Sequence, residues 1–188
     1  LSNSSDPGNS GVRTGVAKLV ALVVAWNTPF YPLYVWWVAG SGGMPWALLT
    51  VCSFPFFAGI YLIARWSSLA ARIALPLVGV CNTIFCTWLL GEPAGEQLFL
   101  LPCATLGAML FHPRERVAML GLAALPLVAF VALQGRYPAP PHLYTAEQYR
   151  ALLSMNAISV GCLTIFLGVV FARRLASAPK APGDHAAT

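Results

Sequence analysis

Apolar residues in this chain gather into six runs, at about residues 15–39, 45–64, 69–90, 93–112, 117–134 and 149–172, with short polar stretches between them. A helix needs about 20 apolar residues to cross the hydrocarbon core of a bilayer, and each run meets that need. The pattern predicts an all-α polytopic membrane protein, a bundle of six transmembrane helices with short loops. Residues 1–14 read as a polar, loosely ordered N-terminal tail, 15–173 as the six-helix transmembrane domain, and 174–188 as an Ala/Pro-rich tail.

Prolines interrupt five of the runs: Pro29 and Pro32, Pro55, Pro76, Pro102 and Pro126. Each removes a backbone hydrogen bond, so kinks are expected, with hydroxyls or neighbouring helices re-satisfying the freed carbonyls. The run at 149–172 has none. In the central stretch Gly91–Pro102, GEPAGEQLFLLP, Pro93 suits the first turn of a helix, and Glu92 and Glu96 then meet the positive end of its dipole. Two readings stay open there. The glutamates are helix-start residues in a water-exposed loop, or Glu96 and Gln97, at the mouth of the bundle, contact a ligand.

Composition agrees with a membrane protein: 58% of residues are hydrophobic and 9% charged, against about a quarter charged in soluble domains. Basic residues are unevenly placed. With the N-terminus cytoplasmic, Arg13, Lys18, Arg65, Arg72, Arg114, Arg116, Arg173, Arg174 and Lys180 lie inside, and only Arg136 and Arg150 outside. Tyr34, Trp36, Trp37, Trp46, Trp88 and Tyr149 fall near the outer helix ends as an aromatic belt. Both termini are therefore expected in the cytoplasm.

Depth follows from the rise of 1.5 Å per residue. Asn27, nine residues past Lys18, and Asn82, ten past Arg72, both lie about 14 to 15 Å from the cytoplasmic side, while Asn156 lies about 9 Å below the outer face. Asn27, Thr28, Asn82, Glu96, Gln97 and Asn156 form the candidate polar cluster. Its members pair across helices, with Asn82 bonding to Asn27 or Thr28, or they line a polar ligand pocket. In the last span Ser154, Ala157, Gly161, Thr164, Gly168 and Ala172 place small residues along one face. That face packs within the bundle, or forms a seam with a second copy or another membrane subunit.

Catalytic and metal chemistry is nearly absent from the pattern. His112, His142 and His185 fall in separate loops or tails, so they share no site. Cys81 and Cys86 are about 140° apart on a helix and do not face a common metal. The five cysteines all lie in apolar runs and are odd in number, which argues against a disulfide framework. His112 reads as a helix-capping imidazole rather than a tetrapyrrole ligand. No phosphate loop, activated nucleophile or nucleic-acid surface is present, so no enzyme activity, metal or cofactor is expected.

The six short-looped spans, the NTPF and LYVWW segments of the first, GEPAGEQLFLLP at the centre, the HPRER loop and the FARRL exit together resemble a known family. It is the six-helix membrane domain found N-terminal to bacterial class III adenylate cyclases and some sensor histidine kinases. The resemblance covers residues 15–175. It implies a non-enzymatic sensor or anchor in the bacterial inner membrane whose sixth helix passes a signal to a cytoplasmic effector. Pro179 and Pro182 depart from it, because they end any helix that would continue into a signalling helix. That departure keeps a second reading open, an accessory structural subunit of a larger, energy-converting membrane complex. The expected partners are the lipid bilayer, a homodimer mate or other membrane subunits, and a small ligand, but no nucleic acid.

Overall fold

The computed structural model describes residues 7–176, with side chains described over residues 11–173. The first span is α1 (Pro7–Asn27), a 3-10 turn at Thr28–Phe30, and α2 (Tyr31–Ala39). The second is α3 (Met44–Ala47), a 3-10 stretch at Leu48–Ser53, and α4 (Phe54–Ile63). Helix α5 (Ser68–Leu90) is the third. The fourth combines short turns at Glu92–Ala94 and Glu96–Phe99 with α6 (Leu100–Met109), and α7 (Arg116–Leu133) and α8 (Ala146–Ala176) are the fifth and sixth. Five of the spans are long and apolar enough to cross a membrane, and the fourth is a shorter sixth.

The first two spans break at their prolines, whereas Pro76 and Pro126 lie inside unbroken helices. Pro29 and Pro32 sit in the break between α1 and α2, and Pro55 starts α4 after the 3-10 stretch of the second span. Hydroxyls beside these breaks bond nearby carbonyls: Thr28 to Val24 at 2.9 Å, Thr50 to Ala47 at 2.7 Å and Ser53 to Thr50 at 2.8 Å. The apolar surround thus loses less from each interruption. The two breaks pack against one another.

Helices α1, α5, α6 and α8 form a ring in which each touches the next. Helix α4 lies outside the ring against α1 and α5, while α7 lies on α6 and, more lightly, on α5. Gly107 sets the closeness of α6 and α7: a Cβ there would stand 2.5 to 2.6 Å from the backbone of Leu122 and Ala123. Two apolar clusters close the ring at its ends. Val16, Val20, Leu75, Leu110, Phe111, Leu167 and Phe171 meet at the end that carries the basic loops, and Val35, Leu89, Leu90, Ala94, Tyr144 and Leu152 at the other.

Two boundaries differ from the sequence reading. Helix α1 starts at Pro7, so residues 7–14, expected as loose tail, are helical. Arg13 and Thr14 explain why the helix is held there: Arg13 bonds the carbonyls of Met109 and Phe111, and Thr14 pairs with Ser68. At the other end α8 runs on to Ala176, and the remainder of the expected Ala/Pro-rich tail, with Pro179, Lys180, Pro182 and His185, lies outside the described residues, as do residues 1–6.

Candidate functional site

The ring encloses a cavity of about 770 Å³ at the level of the proline breaks. Thr28, Thr50 and Ser53 of the two breaks line it, together with apolar side chains such as Leu75, Phe99 and Phe166. Every exposed residue on its wall belongs to the first span or the last, among them Asn27 and Tyr34 on one side and Ile158 and Cys162 on the other. The cavity therefore opens sideways between these two spans.

Glu96 marks its polar end. The GEPAG stretch does not lie in water as a loop. Gly91 and Gly95 adopt φ of +89° and +83°, a conformation that disfavours side chains, and fold the turn back against α8. A Cβ on Gly95 would stand 2.4 Å from Leu153 Cδ1. Gly95 also breaks the helix that Pro93 was expected to start, leaving two short turns in its place. Ala94 is consequently buried and Glu96 only 4% exposed.

Two elements donate to the Glu96 carboxyl. Tyr31, at the start of α2, donates its hydroxyl to Oε1. Asn156 of α8, fully buried, donates Nδ2 to the same oxygen at 2.9 Å and to the Ala94 carbonyl at 2.9 Å. The Tyr31 hydroxyl also lies 3.4 Å from Asn156 Oδ1. Among the described residues none bonds Oε2, while Glu96 lines the cavity. Of the two sequence readings of Glu96, burial removes the water-exposed one. Glu92 is a separate case: its Oε1 accepts the Gly135 N–H at 2.7 Å and ties the turn to the end of α7.

The candidate cluster thus divides. Glu96 and Asn156 come together. Asn27, Thr28 and Asn82 line the same cavity, but the expected bond from Asn82 to Asn27 or Thr28 is not made. Thr28 turns back on its own helix, and Asn82 Oδ1 accepts from Cys86 Sγ at 3.6 Å. Equal depth put these residues at one level, but the cavity stands between them. Gln97 is half-buried and is not among the lining residues. Tyr31 was missed in the sequence, since a tyrosine near a helix end reads as an interfacial aromatic; its place beside two prolines was the available signal.

A second polar centre lies at the basic end. Arg72, 5% exposed, makes a two-pronged ion pair with Glu115, Nη1 to Oε2 at 2.8 Å and Nη2 to Oε1 at 2.9 Å, and donates to the Leu110 carbonyl at 3.1 Å. Its guanidinium stands 5.4 Å from the Phe111 ring centre. With Arg13 it caps carbonyls left open where α6 ends, a favourable place for cations. Glu115 also accepts the His112 N–H, while His112 Nδ1 accepts the Arg114 N–H at 3.2 Å, so His112 caps a turn as expected. The sequence reading used Arg72, Arg114 and Arg116 as topology signals and the HPRER loop for the resemblance, and paired none of them.

The small-residue face of α8 is open. Ser154, Ala157, Gly161, Thr164, Gly168 and Ala172 are all exposed, and nothing lies within 4 Å of a Cβ built on Gly161 or Gly168. The reading in which this face packs inside the same bundle is therefore corrected. The reason is that α8 turns Leu152, Asn156, Val160, Leu167 and Phe171 inward, and the small residues fall on other sides of the helix. The five cysteines are free.

The sequence pattern of MASE7, a family of membrane-associated sensor domains, matches residues 7–181, nearly the whole chain. The chain belongs to that family. No curated protein matches it. Family and helices together identify a multi-pass membrane sensor domain, and of the two functional readings they favour the sensor over the accessory subunit.

Proposed function

We propose that this domain senses a change at the Glu96 cluster within the membrane and passes it through α8 to an effector in the cytoplasm, with no catalysis of its own. The observation that carries the reading is Asn156. One side chain of the 31-residue helix α8 bonds both the Ala94 carbonyl and Glu96, so a rearrangement at the cavity acts directly on the helix that leaves the bundle at its basic end. A stimulus shifts such a helix only as far as it binds one arrangement better than the other, and a bond made at the site itself supplies that difference.

The placing of basic residues supports cytoplasmic termini, and the resemblance to cyclase and kinase anchors supports the bacterial inner membrane. The test is a fusion of the domain, through the end of α8, to a class III adenylate cyclase catalytic domain in bacterial membranes. Asn156→Leu is expected to change cyclase output at equal expression, whereas a lipid-facing change such as Val131→Leu is not. Equal output from the parent fusion and Asn156→Leu would remove the proposed coupling.

A further inference from the structure

Hydrogen bonding around Glu96 indicates what the cavity selects. The two amide hydrogens of Asn156 are spent on Ala94 O and Glu96 Oε1, and the one hydroxyl hydrogen of Tyr31 is also directed at Oε1. Both donors that face Glu96 are consumed, and what the ionised carboxyl leaves toward the cavity is the acceptor Oε2. A carboxylate oxygen that faces an apolar cavity gains from a donor, so a bound group that donates to it is favoured and a group that only accepts is not.

The remaining wall sets the rest of the ligand. It is mainly apolar, and its volume of about 770 Å³ falls within the range of about 300–1,000 Å³ usual for small-molecule sites. The opening lies between the first and last spans and runs from Asn27 and Cys162 to Trp37 and Ala151 near their outer ends, so it gives onto the bilayer and its outer interface. Asn27 and Asn82, farther along the wall, carry amides that both donate and accept, and so set no preference.

We propose that the cavity binds a lipid-soluble amphiphile that enters from the bilayer between the first and last spans, with a hydrogen-bond-donating head, a hydroxyl or a protonated amine, on Glu96 Oε2 and an apolar body along the ring. The proposal deepens the sensor reading by naming the class of ligand and rests on that reading for its role. Binding itself is measured without any effector.

The experiment uses the full chain in lipid nanodiscs and a dodecanol probe carrying a mid-chain diazirine. Photolabelling is expected at lining residues such as Ile158 and Phe166. Unlabelled dodecanol and dodecylamine are expected to compete, and dodecyl methyl ether, which lacks the donor, to compete at least about tenfold more weakly. A stronger effect of dodecylamine than dodecanol identifies an amine as the preferred head, and the reverse a hydroxyl. In Glu96→Gln the preference for the alcohol over the ether is expected to vanish. Ser159→Phe, which fills the cavity without touching the carboxyl, is expected to abolish the competed labelling and serves if Glu96→Gln does not fold. Equal competition by alcohol and ether in the parent protein, labelling that no probe competes, or full competed labelling in Ser159→Phe overturns the proposal. The cyclase fusion decides the sensor reading separately.

Discussion

Asn156 Nδ2 lies 2.9 Å from Glu96 Oε1, a bond between the outer part of the last span and the start of the fourth. Sixty residues separate the two in the chain, and Tyr31 joins them from the first span. All three spans that meet here also line the cavity, together with the second and third.

Asn156→Leu breaks two interhelical hydrogen bonds, and the expected loss is about 0.6 to 2 kcal/mol for each. Unfolding of the detergent-solubilised protein measures it. A double-mutant cycle of Asn156→Leu with Tyr31→Phe should show coupling, because both donors share one acceptor oxygen; additive losses would mean that the cluster is not a unit.

Arg72→Met should lower stability by about 1.5 to 3 kcal/mol, the range for hydrogen bonds to charged groups. It removes the pair with Glu115 and leaves the Leu110 carbonyl without its donor. Arg72→Lys keeps the charge but not the two-pronged geometry, so it should recover only part of the loss. Thermal unfolding of the three proteins in one detergent separates these outcomes, and full recovery by lysine would reduce the contact to a point charge.

Two glycines should behave oppositely. Gly107→Ala places a methyl group against the backbone of α7, which cannot move aside as a side chain can, so the α6–α7 hairpin must separate. Gly161→Leu meets open space within the chain and should leave the unfolding temperature of the isolated protein unchanged. A clear loss of stability in Gly161→Leu would contradict the open face of α8.

Tyr144 gives a pH dependence outside the spans. Burial pushes its phenol up to about 12, and Tyr149 beside it adds to the shift, whereas an unfolded tyrosine ionises near about 10. The folded chain holds this proton more tightly, so the contribution to stability is full below about pH 10 and is lost as pH rises through about 12. Tyr144→Phe should remove that alkaline loss. Near pH 7 it should cost little, since the buried hydroxyl has no hydrogen-bond partner among the described residues. A stability curve against pH for both proteins checks each half of the statement.

By itself the sequence determined the spans, because an apolar run of membrane length must become a helix whatever it packs against: five of the six apolar runs stand within three residues of their expected starts, and only α1 begins markedly earlier. It marked the breaks of the first two spans as well, since proline cannot donate a hydrogen bond in any fold, although α5 and α7 run unbroken through Pro76 and Pro126. Asn156 was legible as a buried polar residue for the same reason, as lipid gives an amide no partner. Its partner was decided only by tertiary structure. Glu96 looked like a solvated helix start because carboxylates favour helix N-termini, and nothing local shows that two positive-φ glycines fold the turn back against α8. Asn27 and Asn82 share a depth, but depth along a helix axis leaves rotation about that axis free, and the rotations face them onto a cavity rather than onto each other. The same freedom left the small-residue face of α8 undecided until its inward residues were fixed by the ring.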